Sequence, residues 1–143
     1  MSAPSREQVI GEAIIGIAHS KYSEPEFIAQ GIGPASFRSH YLILSNDLVL
    51  DLFRAELTLA SLPDEAMAGD TEDLAVGELL GRRITAVVWD DTGGALVIVD
   101  GNIFLQDAVG GFYGNPLLAG HLEEHYSEAE RASFTDYWTG EPT

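Results

Sequence analysis

The stretch from Gly81 to Asp107, GRRITAVVWDDTGGALVIVDGNIFLQD, decides the fold. In an extended chain Ile84, Ala86 and Val88, with Asp90, fall on one face, and Thr85, Val87 and Trp89 on the other. A strand apolar on both faces is covered on both sides or lies centrally in its sheet. Asp90-Asp91-Thr92-Gly93-Gly94 is turn chemistry, because Asp tolerates tight turns and Gly supplies the positive φ that hairpin loops need. Ala95 to Val99 is apolar and β-branched, a second strand. Asp100-Gly101-Asn102 favours a type I′ turn, and Ile103 to Leu105 returns as a third strand ended by Gln106-Asp107.

Upstream, Tyr41 to Phe53 reads as another hairpin, turning at Asn46-Asp47 between two apolar runs. Glu56 to Ala60 continues it as a further strand after a bend at Arg54-Ala55. YLILSNDLVLDL (41–52) and LVIVDGNIFLQD (96–107) both run strand, Asn/Asp/Gly turn, strand, Asp. The match points to an internal duplication of a meander, although two unrelated hairpins would also share so short a pattern.

The rest of the chain reads as helices and connections. Ser5 to Gln8 fits a capping box. Val9, Ile10, Ala13, Ile14 and Ile17 follow at helical spacing and predict an amphipathic helix to His19 or Ser20, with Gly11 and Gly16 weakening it or marking close packing. Pro25 opens a short helix through Gln30 that Gly31 to Pro34 stops; Gly31-Ile32-Gly33 follows no strand and is no phosphate loop. Ser61 to Glu78 is an acidic connection, with a helical turn after Pro63 and another over Val76 to Leu80 closed by Gly81. Asn115 and Pro116 start a helix in which Leu117, Leu118, His121, Leu122 and His125 share a face. Ser127 to Glu130 opens a last helix carrying Ala129, Ala132, Phe134, Tyr137 and Trp138. The expected fold is α+β in one domain over residues 1–143. An antiparallel sheet of roughly five or six strands carries an N-terminal helix and two C-terminal helices packed on it.

Seven Lys+Arg against 23 Asp+Glu give a net charge of −16, which disfavours nucleic acid and anionic membranes and favours basic proteins and cations. There is no cysteine, so disulfides and thiolate chemistry are excluded. No basic-then-apolar leader opens the sequence and no apolar run is long enough to span a bilayer, which leads us to expect a cytoplasmic protein.

Catalytic patterns do not hold together. His121-Leu122-Glu123-Glu124-His125 matches H-x-x-E-H, with two imidazoles on one helical face and Glu124 as base. Such a site needs a third ligand and an enclosed cleft, and only Glu128 or Glu130 stands nearby in sequence. No serine sits in a nucleophile elbow, and no EF-hand loop accompanies Asp70 to Asp73. Neither a metal nor another cofactor is expected. The candidates that remain are for protein binding: Asp70, Glu72, Asp73 and Glu78 in one acidic stretch, Glu123 and Glu124 in another, and Phe112 with Tyr113 between glycines.

In its acidic stretches 64–78 and 123–130, set against the GRRITAVVWDD…LVIVDGNIFL meander, the chain resembles bacterial immunity proteins, which neutralise a cognate toxin by occluding it. This is a resemblance of class, and no site residue is transferred by it. It implies a non-enzymatic protein whose partner is a basic toxin domain. Two rivals remain: a small metal- or ligand-dependent enzyme with a cleft near His121 and His125, and a structural module that forms a homo-oligomer through a sheet edge.

Overall fold

The computed structural model describes residues 2–20, 39–52, 56–91, 94–107 and 116–143. The fold is α+β. A five-stranded sheet has the order β4-β3-β2-β1-β5, with β1 Ile14–His19, β2 His40–Leu44, β3 Val49–Asp51, β4 Thr58–Ala60 and β5 Met67–Ala68. A six-stranded sheet has the order β11-β7-β8-β9-β10-β6. Its strands are β6 Glu72–Asp73, β7 Ile84–Trp89, β8 Ala95–Val99, β9 Ile103–Asp107, β10 Leu117–His121 and β11 Thr135–Asp136. Every pairing is antiparallel except that of β6 with β10. Among the described residues the helices are α1 Arg6–Val9, α2 Val76–Leu79, α3 Leu122–His125 and α4 Glu128–Ala132, each about one turn.

Both predicted hairpins form. Asp100 and Gly101 take φ of 50° and 75°, the pair of positive angles a type I′ turn demands, and Asp47 takes φ 68° in the other turn. The faces of β7 differ from simple alternation. A β-bulge between Ile84 and Ala86 shifts the pleat, so Ile84, Val87 and Trp89 line one core while Ala86 and Val88 line another.

The expected helices are cut short by pairing elsewhere. Gln8 reaches back to the Ser5 amide at 2.9 Å, as its capping box predicts, but Gly11 at φ 90° ends α1 after one turn and 14–19 becomes β1. The helix read from Asn115 to His125 is instead β10 followed by one turn, because Leu117 to His121 pair residue by residue with Asp107 to Ile103. The last helix has its Ser127–Glu130 capping box with both bonds made, then stops at Ala132, and β11 joins the sheet through Trp89 and Val88. The acidic connection contains β5, β6 and α2, the last closed by Gly81 at φ 86°. The Pro25–Gln30 helix lies outside the described residues.

The duplication is larger than the hairpins suggest. In order, α1, β1, β2, β3, β4 and β5 recur as α2, β7, β8, β9, β10 and β11, with the same pairing order. The two bulges coincide, between Ile14 and Gly16 and between Ile84 and Ala86. The closing amides of β5 and β11 match too: Gly69 N donates to Ile17 O and Tyr137 N to Val87 O. Between the halves the bonds are reciprocal. Gly11 N donates to Ile84 O and Gly81 N to Ile14 O, both at 2.8 Å. Ile14 N donates to Arg82 O and Ile84 N to Glu12 O, both at 2.9 Å. Such reciprocity is the signature of a twofold relation.

The main core fills the space between the sheets. Val9, Ile14, Leu42, Leu44 and Leu50 of the first half meet their counterparts Leu79, Ile84, Val97, Val99 and Leu105 of the second, none more than 1 % exposed. A second core, Val88, Leu96, Ile98, Phe104, Leu122 and Phe134, lies on the outer face of β7 to β9, which Leu122 of α3 covers together with Tyr126 and Phe134 on either side of α4. The C-terminal segment clasps the N-terminus: Trp138 Nε1 donates to Pro4 O, and Arg6 pairs with Asp136. Burial raises the Asp136 carboxyl, but bonds from Thr139, Arg6 and Trp138 outweigh it and hold the group below its ordinary value.

Candidate functional site

Parts of the two acidic stretches meet at the second half's edge. β6 lies parallel beside β10, with Glu72 opposite Leu118 and Asp73 opposite Ala119. The turn into α3 then brings His125 Nε2 to 2.6 Å from Asp73 Oδ2. The two acidic stretches, assigned to separate elements in the sequence, are therefore adjacent. Gly120 makes the contact feasible, since a Cβ there would sit 2.6 Å from His125 Nε2 and 2.9 Å from Asp73 Oδ2. Phe104 meets the His125 ring edge-on at 5.1 Å between centroids.

Within this rim Glu72, Glu123 and Glu124 are exposed and make no hydrogen bond or ion pair among the described residues. Glu78 stands apart: its carboxylate receives the Ala75 amide at 3.1 Å and caps α2. Glu130 likewise accepts from the Ser127 amide. Asp70 lies at the first half's end, 3.3 Å from His19 Nδ1, with its side chain 75 % exposed. Phe112 and Tyr113 lie outside the described residues.

His121 ends β10, whereas His125 closes α3, so the two do not share the helical face that a zinc-protease motif requires. The carboxylate at His125 is Asp73, and neither Glu128 nor Glu130 fills that place. His125 makes no other hydrogen bond among the described residues, so no hydroxyl nucleophile is held against it there. No group of three or more His, Asp or Glu among the described residues is arranged to hold a metal ion.

Two polar clusters escaped sequence reasoning. The first is buried Asp90, which accepts from Gly94 N at 2.9 Å and from Gln106 Nε2 at 3.2 Å. Tyr126 adds a hydrogen bond to the same carboxylate, and burial together with the charge of Asp90 pushes its phenol up to about 12. This network pins the α3–α4 segment to the sheet. The second is the buried pair His19 and His40, edge-on at 6.4 Å. The strand pairing relates the two places: His19 corresponds to Trp89 and Ser20 to Asp90.

No protein-family model, no curated protein and no solved structure matches the chain. No described helix is long and apolar enough to cross a membrane.

Proposed function

We propose that the protein is a non-enzymatic binding protein of the immunity type, which neutralises a cognate bacterial toxin in the cytoplasm by holding a basic domain of it. The observation that supports this is the Asp73–His125 contact, which joins the two acidic stretches, together with Glu72, Glu123 and Glu124 beside it in sequence, exposed and making no hydrogen bond or ion pair among the described residues. Arg131 is the single Lys or Arg in the α3–α4 segment, against Glu123, Glu124, Glu128 and Glu130. A patch of one sign speeds encounter with a complementary partner and adds specificity on contact.

The test is co-expression with the product of the neighbouring gene. The protein should restore growth, and the Glu72→Lys/Glu123→Lys/Glu124→Lys variant should fail to do so while remaining folded. Purified components should associate more slowly as salt rises, with dissociation nearly unchanged. A non-toxic neighbour, or salt-independent association, refutes the reading.

A further inference from the structure

We propose that the chain is a fused homodimer, and that the seam between its halves is a self-complementary interface able to accept a second copy of the 72–143 half in place of residues 2–70. The seam offers matched sets of backbone groups. The first half presents Gly11 N, Ile14 N, Ile14 O and Glu12 O; the second presents Gly81 N, Ile84 N, Ile84 O and Arg82 O. Each set satisfies the other, and because the sets are equivalent each also fits its own copy, which defines an isologous contact. The apolar side chains at the seam correspond as well: Val9 with Leu79 and Ile14 with Ile84, all at 0 % exposure. Turn closure repeats in side-chain chemistry. Ser45 Oγ receives Ala13 N at 2.9 Å where Asp100 Oδ1 receives Arg83 N at 3.4 Å. The same holds at the strand ends, where Ser20 Oγ receives Ser39 N and Asp90 Oδ1 receives Gly94 N.

The position that bridges across the axis breaks the match and sets the preference for the natural pairing. Ala13 bridges Arg83 across the axis, and Arg83 Nη1 donates to Gly11 O at 2.8 Å. Two copies of the 72–143 half would place Arg83 opposite Arg83, and the like charges would oppose each other. Ala13 therefore selects the first half over a second copy, and Arg83→Ala should relax that selection.

The experiment begins with the whole protein carrying a protease site at Thr71. Cleavage of the folded chain should leave the halves associated. After separation in denaturant, the 72–143 piece should refold as a homodimer by native mass and sedimentation. Arg83→Ala should tighten that dimer at least tenfold, and added 2–70 piece should displace it in the unsubstituted case. A circular permutant running 72–143 into 2–71 through a short linker should keep the native amide spectrum, since Trp138 and Pro4 already touch. If the 72–143 piece stays unfolded or monomeric at every concentration, with Arg83→Ala as without it, the seam is not self-complementary and the proposal falls. A permutant that does not fold overturns it equally.

Discussion

The first half of the chain, through Asp70, and the second half, from Glu72, share five strands in the same order, to which the second adds β6, yet they dress them differently. In the second, the connection from Gly120 to Thr135 carries α3 and α4 and lays Leu122, Tyr126 and Phe134 over the outer face of the sheet. The corresponding connection of the first half, Ala60 to Met67, is a short turn through Asp64 and Glu65. At the strand ends the difference is chemical. Where the second half stacks Trp89 on Tyr137 at 4.8 Å, the first has His19 beside Asp70. A shared backbone shows which features the fold requires, and the differences show where the chain has been adapted.

The largest expected effect tests the outer face. Phe104 is fully buried against His125 and Tyr126, while its counterpart Val49 is only partly buried. Phe104→Ala should destabilise the protein by about 3–5 kcal/mol and Val49→Ala by about 1 kcal/mol or less in urea denaturation. Equal losses would mean that the second core is no core at all.

Next is the Tyr126–Asp90 bond, which the first half lacks in this form. Tyr126→Phe keeps the ring contacts with Phe104 and Phe134 and removes only the hydroxyl, at a cost of about 1.5–3 kcal/mol for a bond to a charged acceptor. The pH dependence has a defined sign. The folded phenol ionises at about 12, above the unfolded value of about 10. Its contribution is therefore complete below the unfolded value and disappears as pH rises toward the folded one. The stability gap between the two proteins should close over that alkaline window; a constant gap disproves the linkage.

Symmetry itself is tested by glycine. Gly11 and Gly81 take φ of 90° and 86° and have nothing within 4 Å of an added Cβ, so alanine at either meets backbone strain alone. Each substitution should lower stability by about 1–2 kcal/mol, and the two losses should agree. Unequal losses would show that the seam is not balanced across the axis.

How much of this was legible follows from what decides each element. The hairpins were readable because Asp100-Gly101 and Asn46-Asp47 specify their turns locally. The helix read through 9–17 failed because Gly11 at positive φ breaks the pattern and pairing with β2 takes the rest. Leu117 to His121 contains no β-branched residue, and only its partner β9 makes it a strand. Asp70, Glu72, Asp73, Glu123 and Glu124 were identifiable as acidic and exposed, but the junction of Asp73 with His125 depends on a parallel pairing that no local rule supplies. The buried Asp90 network stayed hidden because its carboxylate looked like a turn residue.

The smallest effect on stability is expected where the functional consequence is greatest. Glu72→Lys, Glu123→Lys and Glu124→Lys each alter an exposed side chain that makes no hydrogen bond or ion pair among the described residues, so stability should change by less than about 0.5 kcal/mol. Gly120→Ala provides a related probe, because its methyl group displaces the Asp73–His125 contact and disturbs the rim without changing charge. The first half supplies the control for charge. Asp64 and Glu65 occupy the connection equivalent to α3 and α4 and are exposed as well. Reversing both changes net charge as much as reversing Glu123 and Glu124 does. Screening confines exposed charges to a range of about 8 Å at physiological salt, so acids that contact the partner and acids outside the contact act differently. Association with the basic partner proposed above should slow for both double variants at low salt, through the field of the whole molecule. At physiological salt only Glu123→Lys/Glu124→Lys should remain slow and also dissociate faster. If the two double variants behave alike at every salt concentration, the partner responds to net charge alone, and the difference between the halves has no part in binding.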